Sequence, residues 1–241
     1  MEIYKREVVV TSDGSSTLRL LGTDECYHSI NGAMAESLHI FIKCGLERYL
    51  DSTPVKIEKK GRIVIFEAGL GTGLNALLTY KFLSEARGIA VDYIAMEKYP
   101  ITCDEMLFLN YTDIIGKEYG KIFNTIHSSE WERPTVISPL FSLTKVKDDF
   151  KSLADNSCLR FIKEIDVVFY DAFSPVLQPS LWSYEIFQGI YNRMSVDSLL
   201  VTYSSKGSVK RALREAGFEV IRMKGPAGKR HITLALRSCK S

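Results

Sequence analysis

The 241-residue chain has little that would tie it to a disulfide scaffold, a metal centre or a membrane. Its five cysteines (Cys26, Cys44, Cys103, Cys158, Cys239) are odd in number, scattered and free of any CxxC spacing. That pattern disfavours both a disulfide framework and a zinc ribbon. Only four histidines are present, at 28, 39, 127 and 231, with no HExxH and no His/Cys cluster, so nothing asks for a metal. No apolar run nears the roughly 20 residues that a membrane span requires. The opening MEIYKREVVV also lacks the apolar region of a signal peptide, so the cytoplasm is the expected compartment. Repeats, low-complexity tracts and Pro/Gly/Ser linkers are missing, which leaves one core domain with at most a small appendage.

What is present is an ordinary globular composition, 46% hydrophobic and 25% charged. The net charge of +2 hides an asymmetry. From Ser204 onward there are ten Lys/Arg against two acids, whereas the remainder carries 21 against 27. Such segregation suggests a polyanionic partner at one end of the molecule, the plainer alternative being a solvated surface.

The patterning divides the chain at about residue 60. In residues 1–60, VVVTSDGSSTLRLL predicts a hairpin around Ser-Asp-Gly-Ser. A helix follows, capped by Asn31 and running to about Leu50, with Ala33, Leu38, Ile42 and Leu46 on one face. Asp51–Pro54 ends it. In residues 61–241 the rhythm alternates. RIVIFEAG is a continuous apolar run, as in a strand covered on both faces. A helix over Leu74–Ala86 and the strand IAVDYIAME come next. Helices are expected over Pro100–Asn110 and around Asp113–Phe123, then the strands FSLTKVK and EIDVVFYDAF. The pattern closes with a helix at Trp182–Arg193, the strand SLLVTYS, a helix at Val209–Ala216 and the pair FEVIRMK/HITLALR. This is a doubly wound, Rossmann-like α/β sheet with a small hairpin-plus-helix extension at its N-terminus. GPAGK is too short for a parallel crossover, so the sheet should finish in an antiparallel hairpin.

The strongest motif is Glu67-Ala-Gly69-Leu-Gly71-Thr-Gly73-Leu-Asn75, between a buried strand and a helix. Its glycines permit a sharp turn and let a ligand lie against the main chain. A phosphate P-loop would need GK[ST] after the glycines, and Leu74-Asn75 stand there instead. The GxGxG form after an acid resembles motif I of class I S-adenosylmethionine-dependent methyltransferases. At the end of the next strand Glu97 is placed to accept hydrogen bonds from both hydroxyls of a ribose. After the third strand Asp148 or Asp149 stands where methyltransferases contact adenine, helix capping being an equal alternative. Asp171-Ala-Phe-Ser-Pro175 then ends a central strand, where doubly wound sheets bind substrates. It matches the motif IV place of amine-methylating enzymes.

Several further segments occur in a fixed order with these: Asp13-Gly-Ser-Ser-Thr17, Tyr27-His28-Ser-Ile-Asn31-Gly-Ala33 with Glu36, Leu181-Trp182, and Thr202-Tyr203-Ser204 before KGSVKRALREAGF. From about Thr11 to Leu236 the chain resembles the MnmC-type tRNA methyltransferases, in their methyltransferase domain only. That resemblance implies methylation of the primary amine of 5-aminomethyl(-2-thio)uridine at the tRNA wobble position. S-adenosylmethionine would be the cofactor, and no FAD is expected in this chain. It also implies an anticodon stem-loop as partner, with the aminomethyl group supplied by a separate enzyme. Asp171 would be the catalytic residue, as base or as orienter. Glu67, Gly69, Gly71, Gly73, Asn75, Glu97, Asp149, His28 and Asn31 would hold the cofactor. Phe173, Trp182 and Tyr203 would pocket the base, while Lys206, Lys210, Arg211, Arg214, Lys229 and Arg230 hold phosphates. Two other functions suit parts of the pattern: an aminopropyltransferase or other small-molecule amine methyltransferase, and a non-catalytic RNA-binding module.

Overall fold

The run Arg62–Ala68 shows how the sheet is covered. Ile63 and Ile65 enter one buried cluster while Val64 and Phe66 enter another, because alternate side chains of a strand point to opposite faces. Burying each contributes about 1.5–3 kcal/mol. In the computed structural model, which describes residues 5–84, 88–155 and 162–239, this run is the centre of an eight-stranded sheet.

The chain opens with an antiparallel hairpin, β1 (Arg6–Val10) and β2 (Ser16–Leu20), which forms its own two-stranded sheet. A helical run follows: α1 (Ala33–Ser37), a π-helical stretch Leu38–Glu47 and α2 (Arg48–Ser52). Next come α3 (Pro54–Lys60), β3 (Arg62–Ala68), α4 (Leu74–Ser84) and β4 (Ala90–Met96). Beyond β4 lie α5 (Cys103–Leu107), α6 (Tyr111–Ile115), α7 (Gly120–Ser128), and a hairpin of β5 (Pro134–Ser138) and β6 (Phe141–Val146). Then follow α8 (Ser152–Asp155), β7 (Ile165–Tyr170), α9 (Tyr184–Arg193), β8 (Met194–Thr202) and α10 (Gly207–Glu215). The hairpin of β9 (Glu219–Lys224) and β10 (His231–Arg237) completes the fold.

The sheet order is β5-β6-β4-β3-β7-β8-β10-β9. Strands β6, β4, β3, β7 and β8 are parallel, whereas β5 pairs antiparallel to β6, and β10 pairs antiparallel to β8 and β9. The chain winds outward through β4 and β6 on one side of β3 and through β7 and β8 on the other. The switch point, where such sheets bind ligands, therefore lies between β3 and β7. The helical run 33–52 with α4 and α7 covers one face, and α8, α9 and α10 cover the other.

The doubly wound sheet and its antiparallel finish match the expectation, and four local features differ. Asn31 does not cap the first helix. It is exposed, and the free N–H groups of Ala33, Met34 and Ala35 are taken by Thr11 Oγ1 (3.2 Å), Ser15 Oγ (3.1 Å) and Asp13 Oδ2 (2.8 Å) of the β1–β2 turn. The predicted apolar stripe also fails at Leu38, which is 43% exposed. A π-helix has more residues per turn, so four-residue spacing drifts off one face. The expected helix at Pro100–Asn110 shrinks to α5, which opens on a Thr102–Glu105 capping box, while the side chain of Asn110 bonds the backbone of Ser16. The edge strand β5 was not expected from the pattern. Ala86 and Cys158 lie outside the described residues.

At the amino end of the parallel strands, away from the switch point, Asp166 is fully buried. It accepts hydrogen bonds from Lys60 Nζ (2.6 Å), Ser195 Oγ (2.8 Å), the Val64 N–H (2.9 Å) and Tyr49 Oη (3.0 Å). Burial alone would raise its pKa; these donors win and hold it below the ordinary aspartate range. Among the described residues, no helix is long and apolar enough to cross a membrane.

Candidate active site

Each parallel strand delivers one element to a cavity of about 540 Å³ at its carboxyl end. β3 ends in the glycine loop, β4 in Glu97, β6 in the loop bearing Asp149, β7 in Asp171 and β8 in Tyr203. The remaining wall comes from the N-terminal segment Asp24–Ile30, with Glu36 from α1 and Lys229 from the β9–β10 turn.

The glycine loop is shaped by its missing Cβ atoms. Gly69 has φ +101°, and a Cβ there would lie 2.6 Å from the Asp171 carbonyl oxygen, so only glycine lets the ends of β3 and β7 approach. Gly71, at φ +52°, would push a Cβ to 3.0 Å from the Tyr27 ring. Its N–H donates to Glu97 Oε2 (3.0 Å), and the Tyr99 N–H donates to Oε1 (2.7 Å). Burial outweighs these donors and leaves the Glu97 pKa above the usual glutamate value.

Asp171 is the group whose electrostatics stand out. Burial, reinforced by the Glu36 carboxylate, pushes its pKa up to about 7, although Asn75 Nδ2 donates to its Oδ2 at 3.0 Å. The same amide donates to Glu67 Oε1 (2.9 Å), whose Oε2 accepts from Tyr93 Oη (2.9 Å). Glu67 is fully buried, and burial raises its pKa well above the ordinary range. A carboxyl–amide–carboxyl chain thus runs from Glu67 on β3 to Asp171 at the cavity. Asn75 Oδ1, buried at its midpoint, has no hydrogen-bond partner among the described residues.

Of the residues singled out in the sequence, Gly69, Gly71, Glu97, Asp149, His28, Asp171, Phe173, Tyr203 and Lys229 line the cavity. Glu67, Gly73 and Asn75 lie behind the wall, supporting it. Trp182 does not reach the cavity: it is 5% exposed, packs edge-on against Tyr170 and Tyr203, and its Nε1 donates to the Phe173 carbonyl (2.9 Å). It therefore braces the Asp171–Pro175 loop and is not available to stack on a base. Asn31 stands outside as well, packed against Gly228 of the β9–β10 turn. Asp149 lines the cavity and pairs with Lys98 (2.7 Å), whereas Asp148 does not line it and its carboxylate accepts the Asp149 N–H (2.7 Å). His28 bonds Thr17 Oγ1 (2.9 Å), and burial lowers its pKa to about 4, keeping it neutral.

The largest departure is Lys229. It turns inward from the basic region, pairs with Glu36 Oε1 and lies 4.6 Å from the centroid of the Tyr203 ring. A lysine so engaged is not free to hold a phosphate. Lys206, Arg211, Arg214 and Arg230 are exposed and Lys210 is half-buried, all outside the cavity.

Sequence reasoning missed Glu25 and Arg6, and gave Tyr27, though part of a quoted segment, no role. Tyr27 packs edge-on against Phe173 (5.0 Å between centroids), and its Oη accepts from Arg6 (2.9 Å). Arg6 also pairs with Glu105 (2.6 Å) and donates to the Tyr99 and Pro100 carbonyls, pinning the N-terminal hairpin to the loop after β4. Glu25 accepts from Ser174 Oγ, joining that hairpin's flank to the Asp171 loop. These contacts span roughly 100 residues or more, except the Arg6–Tyr27 bond, and no local pattern signals them.

The chain is similar to known proteins. A family model described as "S-adenosyl-L-methionine-dependent methyltransferase" matches residues 143–238. The chain is 30% identical to an uncharacterized protein of Methanocaldococcus jannaschii, covering 98% of this chain and 61% of that one. It is 29% identical to the tRNA 5-methylaminomethyl-2-thiouridine biosynthesis bifunctional protein MnmC of Burkholderia thailandensis, covering 95% of this chain and 34% of the relative. The chain thus spans about a third of the MnmC proteins that it matches. The crystal structure of MnmC2 from Aquifex aeolicus superimposes with a TM-score of 0.80 at 28% identity, over 99% of this chain and 72% of that one. Spermidine synthase from Thermotoga maritima, at 13% identity and a TM-score of 0.56, shares the fold alone.

The switch-point glycine loop, the strand-end acids and these matches define a class I S-adenosylmethionine-dependent methyltransferase. Within that class the chain is similar, over nearly its whole length, to the MnmC-type methyltransferases. The residues present suit the cofactor: the backbone of the Gly69–Gly71 turn lines the cavity, and the Glu97 carboxylate stands beside it, bonded to the Gly71 N–H.

Proposed function

We propose that this chain methylates the primary amine of 5-aminomethyl(-2-thio)uridine at the wobble position of tRNA. The observation that carries this reading is Asp171, a carboxyl group facing the cavity beside the glycine loop with its pKa near 7. The relatives named for 5-methylaminomethyl-2-thiouridine biosynthesis support it. Because a wobble base acts in the cytoplasm, this reading also places the protein there.

When bound, S-adenosylmethionine supplies an electrophilic methyl group, so the chain's own task is to align an amine and keep it neutral. We assign the backbone of Gly69–Gly71 and the carboxylate of Glu97 to holding the cofactor, with Asp149 at its far end. An alkylammonium in water has a pKa near ~10, and only its neutral form attacks. Burial in the cavity lowers that value, while burial has already raised Asp171, so the gap between donor and acceptor narrows. Asp171 Oδ accepts the ammonium proton or holds the amine's N–H, and Asn75 fixes the carboxylate from behind. Phe173 and Tyr203 offer faces for the uridine, which a single-stranded loop can present unstacked. Lys206, Lys210, Arg211, Arg214 and Arg230 contact the anticodon-stem phosphates from outside. A separate enzyme supplies the aminomethyl group.

The test is direct. The purified chain is incubated with S-adenosylmethionine and tRNA carrying 5-aminomethyl-2-thiouridine, and the nucleosides are resolved by mass spectrometry. Conversion of the aminomethyl to the methylaminomethyl nucleoside is expected. Unchanged nucleosides, or transfer only to small polyamines, would overturn the reading.

A further inference from the structure

The cavity contains a primary alkylammonium, and it belongs to the protein. Lys229 Nζ pairs with Glu36 Oε1, which lies on a side chain only 8% exposed, and sits 4.6 Å from the centre of the Tyr203 ring. The second Glu36 oxygen accepts the Ser29 N–H at 2.7 Å, so the carboxylate is aimed and fixed. Tyr203 is fixed too, since its Oη donates to the Ala172 carbonyl (2.9 Å) next to Asp171. Carboxylate, aromatic face and the nearby Asp171 together form a cage suited to a cation of the lysine type.

The lysine is held in a way that permits exchange. Its backbone is locked: the Lys229 N–H bonds the Pro226 carbonyl (3.0 Å), and a Cβ on Gly225 would collide with the Lys229 carbonyl oxygen. Gly228 of the same turn packs on Asn31. Only the four-carbon stem is free to swing, so the ammonium can leave without moving the turn. A buried Glu36 beside Asp171 would otherwise face an uncompensated like charge, which explains why a counter-ion is kept there.

We propose that Glu36 and the Tyr203 face form the subsite for the ammonium of the acceptor, and that Lys229 occupies it as a displaceable stand-in until substrate arrives. This rests on the proposed amine acceptor, and it makes Glu36 a specificity-determining residue. It also reverses the sign expected for Lys229: a phosphate-binding lysine raises affinity for tRNA, whereas a stand-in lowers it by the fraction of time the subsite is filled.

The experiment uses Lys229→Met, with Lys229→Gln as a second variant, and Glu36→Gln/Lys229→Met. Thermal unfolding is followed with n-propylammonium chloride, with tetramethylammonium chloride at equal ionic strength as control. Propylammonium should raise the Tm of both Lys229 variants, leave wild type unmoved and have no effect once Glu36 is also replaced. The KM for aminomethyl-tRNA should fall roughly threefold to tenfold in Lys229→Met. A several-fold rise in KM together with no propylammonium response would overturn the proposal. If wild type fails to methylate the tRNA while propylammonium still stabilises the Lys229 variants selectively, the acceptor's identity is wrong and the ammonium subsite stands.

Discussion

Replacing Asp171 with Asn should make the protein more stable and far less active. The carboxyl is pushed up to about 7 from an ordinary value of 3.8, chiefly by burial. An acid whose pKa is raised on folding costs nothing while it is protonated in both states. The cost accumulates as pH rises from about 4 to about 7 and is constant above that. At about 1.36 kcal/mol for each pH unit between the two values, the ceiling is about 4 kcal/mol. Relaxation and water entry at the cavity mouth reduce this, so a gain of about 1–2 kcal/mol is expected at pH 8. Asparagine can keep the bond from Asn75 through its carbonyl oxygen, so little is lost in exchange. For a chain of this length that is a Tm increase of roughly 2–8 °C. Thermal melts at pH 4 and pH 8, without ligands, read it: the two proteins should nearly coincide at pH 4 and separate at pH 8. In the methyl-transfer assay the same variant should lose roughly 10²-fold or more in turnover, with partial recovery as pH rises. A variant no more stable than wild type at pH 8 would refute the burial argument; wild-type turnover would remove Asp171 from the chemistry.

Other perturbations separate binding from catalysis. Gly71→Val, with φ +52° and the Tyr27 ring 3.0 Å from the new Cβ, should abolish S-adenosylmethionine binding by calorimetry in a protein that still folds; unaltered affinity would reassign the loop. Glu97→Ala should weaken the same ligand by roughly 1–3 kcal/mol, and an unchanged Kd would move the ribose contact elsewhere. Lys206→Glu with Arg211→Glu should raise the KM for tRNA and lower its salt slope by roughly one for every phosphate that goes unneutralised, while leaving saturated turnover intact. A salt slope identical to wild type would place the tRNA on another face.

The parallel strands were legible because each is an apolar run with an abrupt end. RIVIFEA and IDVVFY are covered on both faces, and chemistry sits where the apolar pattern stops: Gly69, Glu97 and Asp171 all follow such stops. The edge strand β5 escaped because Pro134 heads it and none of its side chains is buried, so PTVIS carries no apolar run. The capping of α1 escaped for a different reason. Its acceptors stand some 20 residues upstream in a turn whose Thr11, Asp13 and Ser15 read as ordinary turn chemistry. By residue type Trp182 reads as an aromatic for a base and Lys229 as a cation for a phosphate. Their direction is decided by tertiary contacts with Phe173 and Glu36 that lie 9 and 193 residues away.

The bonded cluster around Asp166 stands at the opposite end of the sheet from the cavity, and that distance separates two kinds of defect. Losing Asp166 strands the buried Tyr49 hydroxyl and Val64 N–H, and losing Lys60 takes a cation from a fully buried carboxylate, at a cost of up to about 3–5 kcal/mol for breaking such a pair. Surviving molecules would still carry an unaltered glycine loop and Asp171. In a cell such a variant would behave as a reduced dose of normal protein, open to rescue by overexpression or lower temperature. A change at Asp171 would accumulate to full abundance and stay silent however much was made. Comparing protein level with modified-nucleoside level would thus sort inherited or engineered variants by the end of the sheet they strike.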